Sequence, residues 1–341
     1  MLTSELIEHI LATVPNRTVG VLGDLFLDRY LDIDPSLNEP SVETGLTAYQ
    51  VTRVRAYPGA AGTVVNNIAA LGVGRIVPIT SIGDDGEGYE LRQALRVLPC
   101  VDQSAIITDA SRRTPTYTKP MLGKEELNRL DIKNRARTPN PVQARVVELL
   151  HELWPTFDAL LVLDQVSEED CGVVTASVRA ALSELAAREP SKFVLADSRE
   201  RIGLFRNVCV KPNADECRKA VWIKPPKKLT RDDEAFAPLE LAQLVSAPVF
   251  HTNGAKGIAY VPRGAVEVTQ VPAYPVSGPV DVCGAGDSCS AGIACAKVSG
   301  ATHEQAAAFG NLIASITVQQ IGVTGTAPPP AVRARWREVS A

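Results

Sequence analysis

The run Asp281–Ser288 (DVCGAGDS) places glycines and an acid at the predicted start of a helix. Gly284 and Gly286 allow the backbone to come close to a ligand. The first N–H groups of a helix have no internal partner and carry partial positive charge, so they suit a phosphate. Asp287 therefore has two interpretations. It could be an N-cap, which is favoured for an isolated GAGD, or a base that deprotonates a hydroxyl attacking a γ-phosphoryl group.

Three other runs carry residues suited either to ligand binding or to a simple turn. The glycines of Gly59–Gly62 permit close approach to a sugar, but for the run taken alone a tight strand-to-helix turn is the favoured interpretation. Pro212-Asn213 is typical of a turn. Taken alone, Thr252–Gly257 predicts a hairpin turn between Val249–Thr252 and Ile258–Val261.

These runs lie on a regular alternation of strands and helices. The predicted strands are short and rich in Val, Ile and Leu without polar alternation, as in strands buried on both faces of a parallel sheet. They are Thr18–Leu22, Ile76–Ile82, Ala159–Leu163, Lys192–Ala196, Val208–Lys211 and Pro248–Thr252. The predicted helices between and after them are Thr63–Leu71, Tyr89–Val97, Pro141–Leu153, Thr175–Arg188, Leu239–Val245, Asp287–Val298 and His303–Ile321.

The alternation predicts an α/β fold with a doubly wound, mainly parallel sheet flanked by helices, and ligands at the carboxyl ends of its strands. Two segments, at about 43–57 and 113–132, break the rhythm and predict a small antiparallel β lid. A Lys-, Pro- and Asp-rich segment at about 217–238 predicts a surface insertion. We interpret residues 1–341 as one domain.

The composition excludes several classes of function. Apolar residues make up 45% and charged residues 22%, which is typical of a globular protein, and the net charge of −4 argues against general binding to nucleic acid or anionic membranes. No apolar run approaches the roughly 20 residues that span a bilayer. The seven cysteines are odd in number and none has CxxC spacing, so disulfides and a zinc site are not expected and a cytoplasmic location is.

The chain resembles the ribokinase-like (PfkB) carbohydrate kinases. The run at Asp281–Gly292 matches the DxxGAGDxxxAG signature of that family, and further landmarks follow in the family's order. They are GDLFLD at Gly23–Asp28, PGAAG at Pro58–Gly62, NIAALG at Asn67–Gly72, SIGDDG at Ser81–Gly86, PNADE at Pro212–Glu216 and TNGAKG at Thr252–Gly257.

The resemblance implies an ATP-dependent kinase acting on a hydroxyl of a sugar or sugar phosphate, and it assigns roles to individual residues. Asp287 would be the base, with Gly284, Ala285 and Gly286 forming the anion hole. The sugar would bind at Asp28, Gly59, Ala60, Thr63 and Asn67, and the nucleotide at Asn213, Glu216, Thr252, Gly254, Gly257 and Asn311. Mg²⁺ would be organised through water by Asn213 and Glu216, and K⁺ by the loop of Asp281 and Cys283. A homodimer through the lid is also implied.

Several runs are similar to the heptose 7-phosphate kinase domain of bifunctional ADP-heptose synthase. These are GDLFLDRY at Gly23–Tyr30, TYTKPML at Thr116–Leu122 and LNRLD at Leu127–Asp131. In that subgroup, basic lid residues hold the phosphate already on the sugar. Arg113, Lys119 and Arg129 are the candidates here; the alternative is that they are exposed lid charges.

The chain departs from that subgroup on the sugar side. Ala60 and Thr63 replace its usual Gly and Asn, Pro120-Met121 replaces a Thr and Arg, and Asp164-Gln165 starts an altered DYKG run. These changes leave open a second hypothesis, a weakly active or inactive sugar- or nucleotide-binding regulator. A nicotinamide dehydrogenase is disfavoured because the first predicted strand is not followed by GxGxxG.

Overall fold

Strands occupy most of the predicted positions in the computed structural model, which describes residues 2–221 and 231–340. In chain order they are β1 (Thr18–Gly23), β2 (Leu25–Ile33), β3 (Glu39–Pro40), β4 (Thr47–Ala48), β5 (Val51–Ala60), β6 (Arg75–Ile82), β7 (Ile106–Thr108), β8 (Thr116–Leu122), β9 (Glu125–Glu126), β10 (Leu130–Ile132), β11 (Ala159–Asp164), β12 (Phe193–Ser198), β13 (Cys209–Val210), β14 (Val249–Thr252), β15 (Ile258–Val261) and β16 (Thr269–Val271).

Helices connect and follow these strands. They are α1 (Ser4–Thr13), α2 (Ala61–Ala70), α3 (Gly86–Arg96), α4 (Asn140–Leu153), α5 (Ala176–Arg188), α6 (Ala214–Val221), α7 (Arg231–Val245), α8 (Ala285–Val298), α9 (His303–Thr317) and α10 (Pro329–Ser340). The start of α9 has a capping box, in which Thr302 Oγ1 accepts from the Gln305 N–H and Gln305 Oε1 accepts from the Thr302 N–H.

The main sheet has the strand order β16-β15-β14-β13-β12-β11-β1-β6-β7 within the described residues. Pairings from β7 through β14 are parallel, and β15 and β16 add an antiparallel edge. Alternate residues feed two cores. Val19 and Val21 pack on the side of α2, α8 and α9, while Leu160 and Val162 pack on the side of α4, α5 and α7. Burial of such a side chain stabilises the fold by about 1.5–3 kcal/mol.

A second sheet forms the lid and has the order β10-β8-β2-β5, with β9 paired to β8. Its pairings are antiparallel except β2–β8, which is parallel. The predicted lid segments supply β5, β8, β9 and β10. Sequence reasoning missed β2, which leaves the main sheet one residue after β1 and forms the centre of the lid.

The predicted fold class is confirmed: a mainly parallel sheet lies between helices, beside a smaller, mostly antiparallel sheet. In the predicted insertion at 217–238, residues 217–221 end α6 and residues 231–238 begin α7, while 222–230 lie outside the described residues. Among the helices in the described part of the chain, none is both long and apolar enough to cross a bilayer.

Candidate active site

At the start of α8 the Ala285 N–H donates to the Val282 carbonyl over 3.2 Å, whereas the Gly286 and Asp287 N–H groups have no partner among the described residues. Its N-cap is Gly284 in the left-handed region (φ 74°), and it offers no side chain to cap the helix. A Cβ there would lie 2.7 Å from Thr324 Cγ2, so a larger residue does not fit. Asp287 is the third residue of the helix, not its N-cap, so the N-cap interpretation is wrong. The Gly286 and Asp287 N–H groups remain available for an anion, whereas the predicted role of Ala285 in the anion hole needs correction because its N–H is already bonded.

Small residues hold α8 in place by letting it pack closely against α9. A Cβ at Gly292 would lie 3.0 Å from Gly310 Cα, and one at Gly310 would lie 3.0 Å from the Cys289 carbonyl oxygen. Because the two helix backbones touch at these glycines, the helix start cannot shift without disturbing a buried interface.

The Asp287 carboxylate is half-buried and faces polar groups from neighbouring strand ends. Gln165, just after β11, donates to Asp287 Oδ1 over 3.4 Å. Lys211 Nζ lies 3.5 Å from where a Gly286 Cβ would be, and 2.8 Å from Asp197 Oδ2. Burial, together with the negative charge of Asp197, raises the pKa of Asp287 to about 7, although Lys211 opposes this. A carboxylate with such a pKa suits general-base catalysis near neutral pH.

Lys211 is a site residue that sequence reasoning missed. It is 3% exposed, and although burial alone would lower its pKa, the Asp197 carboxylate raises it. The one available signal was its position directly before Pro212-Asn213, after a buried strand. Its partner Asp197, in β12, gave no sequence signal because its contact depends on the sheet order.

Asp28 lies on the lid, and its side chain fills the space beside Gly59. A Cβ at Gly59 would lie 2.8 Å from Asp28 Cγ, so only glycine leaves room for this carboxylate. Lys119 Nζ lies 3.7 Å from Asp28 Oδ2 and donates to Tyr30 Oη over 3.2 Å. Burial raises the pKa of Asp28, and the Lys119 charge partly offsets that effect. Tyr30 was not predicted as a site residue.

The lid and the glycine loop adjoin each other through the turn into α2. Asp28 lies against Gly59 at the end of β5, and Thr63, in the first turn of α2, lies against Gly284 at the start of α8. Sequence alone did not establish this, because Asp28 and Asp287 are far apart along the chain.

The turn into α2 forms the floor between these groups. Ala60 has φ 52° and ψ −119°, a conformation that favours glycine, so an alanine is strained here. Thr63, in the first turn of α2, is buried, and its Cγ2 lies 3.6 Å from the point that a Cβ at Gly284 would occupy. Both departures from the subgroup pattern therefore lie at the site.

The predicted basic residues of the lid separate into two groups. The positive charge of Arg129 lowers the pKa of Asp28. Arg129 also pairs with Asp131 over 2.6 Å and lies over the Tyr117 ring at 4.2 Å from its centroid. Arg113 instead turns toward the start of α3, where it pairs with Asp85 and Glu87 at 3.2 and 2.9 Å. The structure therefore brings Lys119 and Arg129 to the cleft and does not bring Arg113.

A second cleft, with a volume of about 820 Å³, lies beside α6, β14 and β15. Predicted nucleotide residues Asn213, Thr252 and Gly254 line it, together with Arg218 and Lys256. Gly257 (φ 91°) is buried behind the turn, where a Cβ would lie 2.2 Å from the Val271 carbonyl oxygen. Gly257 therefore shapes the hairpin turn and does not line the cleft.

Asn213 and Glu216 form reciprocal hydrogen bonds at the start of α6. Asn213 Oδ1 accepts from the N–H groups of Asp215 and Glu216, and Glu216 Oε2 accepts from the Asn213 N–H over 2.8 Å. Burial raises the pKa of Glu216, despite that hydrogen bond and the Lys211 charge. The pair caps a helix at the edge of the cleft, which matches the turn interpretation while leaving the second Glu216 oxygen for water or a cation.

Asp281 ties two loops together. Its Oδ1 accepts from the Cys283 N–H and its Oδ2 from the Gly322 N–H, both over 2.9 Å. These bonds lower the pKa of Asp281. Both carboxylate oxygens therefore hold backbone, and Cys283 is exposed beside them. In the described part of the chain, no cluster of three or more His, Cys, Asp and Glu residues could hold a metal ion.

A family model for pfkB family carbohydrate kinases matches residues 25–330. The chain belongs to the pfkB family of carbohydrate kinases. The bifunctional protein HldE of Caulobacter sp. (strain K31) is 34% identical over 308 residues, covering 89% of this chain and 60% of the relative. The HldE of Geobacter sulfurreducens is 28% identical, covering 94% and 64%. This chain thus spans less than two thirds of the length of these relatives.

Solved structures share the fold of this kinase at low sequence identity. Ribokinase from Arabidopsis thaliana, complexed with ribose and ATP, has a TM-score of 0.65 at 17% identity and covers 94% of this chain and 98% of its own. A putative ribokinase II from E. coli, in complex with ATP and Mg²⁺, has a TM-score of 0.64 at 16% identity, covering 94% and 99%. The predicted ribokinase-like fold is therefore confirmed.

Two residues predicted to contact ligands are buried in this pfkB kinase. Asn67 is 0% exposed, because it lies one helical turn deeper in α2 than Thr63, and it donates to the Thr63 carbonyl over 2.9 Å. Asn311 is buried in α9 and donates to the carbonyl oxygens of Val271 and Pro272. Both side chains are buried, so both predictions of a ligand contact need correction: the amide N–H groups bond to protein carbonyls, while Asn67 Oδ1 has no hydrogen-bond partner among the described residues.

The altered run that begins at Asp164 makes contacts within the protein. Asp164 is buried in an ion pair with Arg201 over 2.6 Å and accepts from Ser198 Oγ over 2.7 Å. The next residue, Gln165, touches Asp287. Asp24, which was not predicted as a site residue, accepts from the Val173 N–H and anchors the following loop; burial raises its pKa to about 7.

Proposed function

We propose that this kinase transfers the γ-phosphoryl group of ATP to a hydroxyl of a sugar phosphate, with a heptose phosphate as the favoured acceptor. One observation carries the proposal. Asp287 stands in the first turn of a helix that has no side-chain cap, has a pKa of about 7, and lies on the helix start that adjoins the lid carrying Asp28 and Lys119. This arrangement places a base and an anion site within reach of one acceptor hydroxyl.

Asp287 would accept the proton of the acceptor hydroxyl as its oxygen attacks phosphorus, in line with the departing ADP oxygen. The N–H groups of Gly286 and Asp287 would hold oxygens of the transferring group, since they are fixed before the reaction and need no reorganisation. The rigid contact between α8 and α9 at Gly292 and Gly310 keeps those donors in place.

The nucleotide would lie in the cleft lined by Asn213, Thr252 and Gly254. Two fold neighbours are described in complex with ATP, and one of these also with Mg²⁺, which supports ATP and Mg²⁺ as cofactors here. Glu216 and Asn213 fit Mg²⁺ held largely through water, because Mg²⁺ uses few protein ligands and keeps several waters. The ion would supply charge neutralisation of the phosphates.

The acceptor would lie between α2 and the lid. Asp28 can accept hydrogen bonds from sugar hydroxyls, while Lys119 and Arg129 supply cations for an anionic group on the sugar. The HldE relatives support a heptose phosphate as this acceptor.

A lid-mediated homodimer and K⁺ binding complete the proposal. The dimer would use the lid face opposite Asp28, where the register places Val54 and Leu130, which are 53% and 63% exposed. K⁺ would bind between the loops joined by Asp281, through backbone carbonyls.

The test measures ADP release with heptose 7-phosphates, hexose phosphates, free sugars and nucleosides as acceptors. Asp287→Asn should lower kcat by about 10²–10⁴-fold, and wild-type kcat should fall as pH drops through about 7, because the base must be ionised. Glu200→Gln, an exposed carboxylate paired with Lys219, is the control. Undiminished turnover in Asp287→Asn would exclude it as the base. ADP binding without acceptor-dependent turnover would favour the regulator hypothesis.

A further inference from the structure

A polar recess lies beside Gln165, the residue that donates to Asp287. Gln165, Arg199, Arg112 and Lys133 line it, together with Tyr117 of the lid. Gln165 also donates to Asp287, so the recess opens directly beside the proposed base. Three cations line this small space, together with the carboxylates of Asp24 and Glu168.

The sheet register fixes Arg199 at this point. Asp164 of β11 pairs with Ser198 of β12 in parallel register, so the residues that follow, Gln165 and Arg199, emerge side by side at the carboxyl edge of the sheet. The Arg199 N–H donates to the Asp164 carbonyl over 3.3 Å, which extends the pairing by one residue. Its backbone is therefore held by the sheet while its side chain is exposed.

The other two cations of the recess already have partners. Arg112 donates to the Cys171 carbonyl, and Lys133 lies 3.7 Å from Asp131 and beside the Tyr117 ring. Arg199 has no side-chain hydrogen bond or ion pair with any described residue. A guanidinium presents five N–H donors in a planar fork that matches phosphate oxygens.

The charges around the transfer point favour a role for this guanidinium. Lys211 is paired with Asp197 over 2.8 Å, and the carboxylates of Asp287 and Glu216 are near enough for its charge to affect their pKa values. The positive charges of Lys211 and Arg199 both lower the pKa of Asp287 and that of Glu216. When a nucleotide brings further negative charge, Arg199 is the cation in this group that is free to meet it.

We propose that Arg199 is a further catalytic residue, whose guanidinium binds oxygens of the phosphoryl group during its transfer; the inference rests on the proposed kinase function. As the acceptor oxygen bonds to phosphorus, the bond from phosphorus to the ADP oxygen breaks, and Asp287 takes the acceptor proton. Arg199 exchanges no proton and stabilises the charge on the equatorial oxygens.

The kinetic test compares Arg199→Gln and Arg199→Lys with the wild type, using the best acceptor of the panel. Arg199→Gln should lose about 10²–10³-fold in kcat with less than about a threefold change in the KM for ATP, because the contact forms in the transition state. Arg199→Lys should recover part of the loss. Lys219→Gln, an exposed cation paired with Glu200, is the matched control and should retain wild-type kcat.

A pH profile distinguishes an effect of the Arg199 charge from a purely structural role of its side chain. Loss of the Arg199 cation should move the acidic limb of the kcat profile to higher pH, since that charge favours ionised Asp287. Lys219→Gln should leave the limb in place. An Arg199→Gln enzyme with kcat within threefold of the wild type would overturn the inference, whereas a wild type without acceptor-dependent turnover would instead count against the proposed kinase function.

Calorimetry provides a test that does not need turnover. Aluminium fluoride with ADP and Mg²⁺ mimics the transferring phosphoryl group, so it should tighten ADP binding to the wild type by at least tenfold and to Arg199→Gln much less. ADP alone should bind both equally, which also shows that the variant is folded. If Arg199→Gln does not fold, Arg199→Lys takes its place in this assay. Equal tightening in wild type and variant, or none in the wild type, would overturn the assignment.

Discussion

Replacing Asp287 with asparagine should stabilise the protein at alkaline pH while it removes the proposed base. Burial and the Asp197 charge raise the pKa of Asp287 from its ordinary value of 3.8 to about 7. The folded protein therefore holds a proton that the unfolded chain releases, so stability falls as pH rises from about 4 to about 7. Asparagine carries no charge and avoids this loss.

The size of the effect follows from the pKa difference. At about 1.36 kcal/mol per pKa unit, the change from 3.8 to about 7 sets an upper limit of about 4 kcal/mol. Because solvent reaches part of the carboxylate, we expect a gain of about 2 kcal/mol at pH 8. The gain should be smaller at pH 5, where Asp287 is mostly protonated in the fold.

Urea unfolding at pH 5 and pH 8 measures this difference in the free energy of unfolding. Asp281→Asn is the matched control from the same loop. Its pKa is lowered by the Cys283 and Gly322 N–H groups, so this variant should be less stable than the wild type at pH 8. An Asp287→Asn protein that gains no stability at pH 8, or gains equally at both pH values, would refute the reasoning.

Three further substitutions test the acceptor side. Ala60→Gly should stabilise the protein by about 1 kcal/mol in urea unfolding, because relief of the strain at φ 52° exceeds the added chain entropy. Gly59→Ala should raise the acceptor KM about tenfold, because the new Cβ would lie only 2.8 Å from Asp28 Cγ and would push the carboxylate aside. Lys119→Gln should raise the acceptor KM about tenfold through loss of a charge-assisted contact, whereas Arg113→Gln should change it less than twofold.

Each of these has a control or a contrary outcome. Ala61→Gly, at an ordinary helical position, should destabilise the protein, so stabilisation by both glycines would argue against strain at Ala60. Gly86→Ala adds a Cβ in open space and should leave the acceptor KM unchanged. If Arg113→Gln weakened acceptor binding as much as Lys119→Gln, the placement of these two cations would be wrong.

The sequence predicted most of the main sheet because its strands are buried on both faces and carry an unbroken apolar signal. It missed β2 as a lid strand, since LFLDRYLDI follows β1 after one residue and mixes apolar with charged residues. Burial of that strand depends on β5 and β8, which flank it from later in the chain. Local periodicity carries no information about such partners.

The candidate site could be proposed from the sequence where its residues are adjacent in one short run, but not where distant strand ends meet. Asp287 and its glycines are adjacent in the chain, so their role could be proposed directly. Lys211, Asp197 and Gln165 meet Asp287 only through the order of the parallel strands.

Ligand contacts were also overpredicted where a motif residue is structural. Asn67 and Asn311 lie within helices whose interiors are packed, and their amides satisfy carbonyl oxygens there. A motif gives the residue type but not the direction of its side chain.

The lid sheet is encoded entirely between residues 25 and 132, whereas the helix bearing Asp287 begins at residue 285. In the proposed mechanism, acceptor recognition and phosphoryl transfer thus occupy separate stretches of the chain. Mutations can accumulate in the first stretch and alter which alcohol is accepted, while the last stretch keeps its chemistry. The replacements at Ala60 and Thr63, beside an intact GAGD run, are the pattern that such independent divergence would leave.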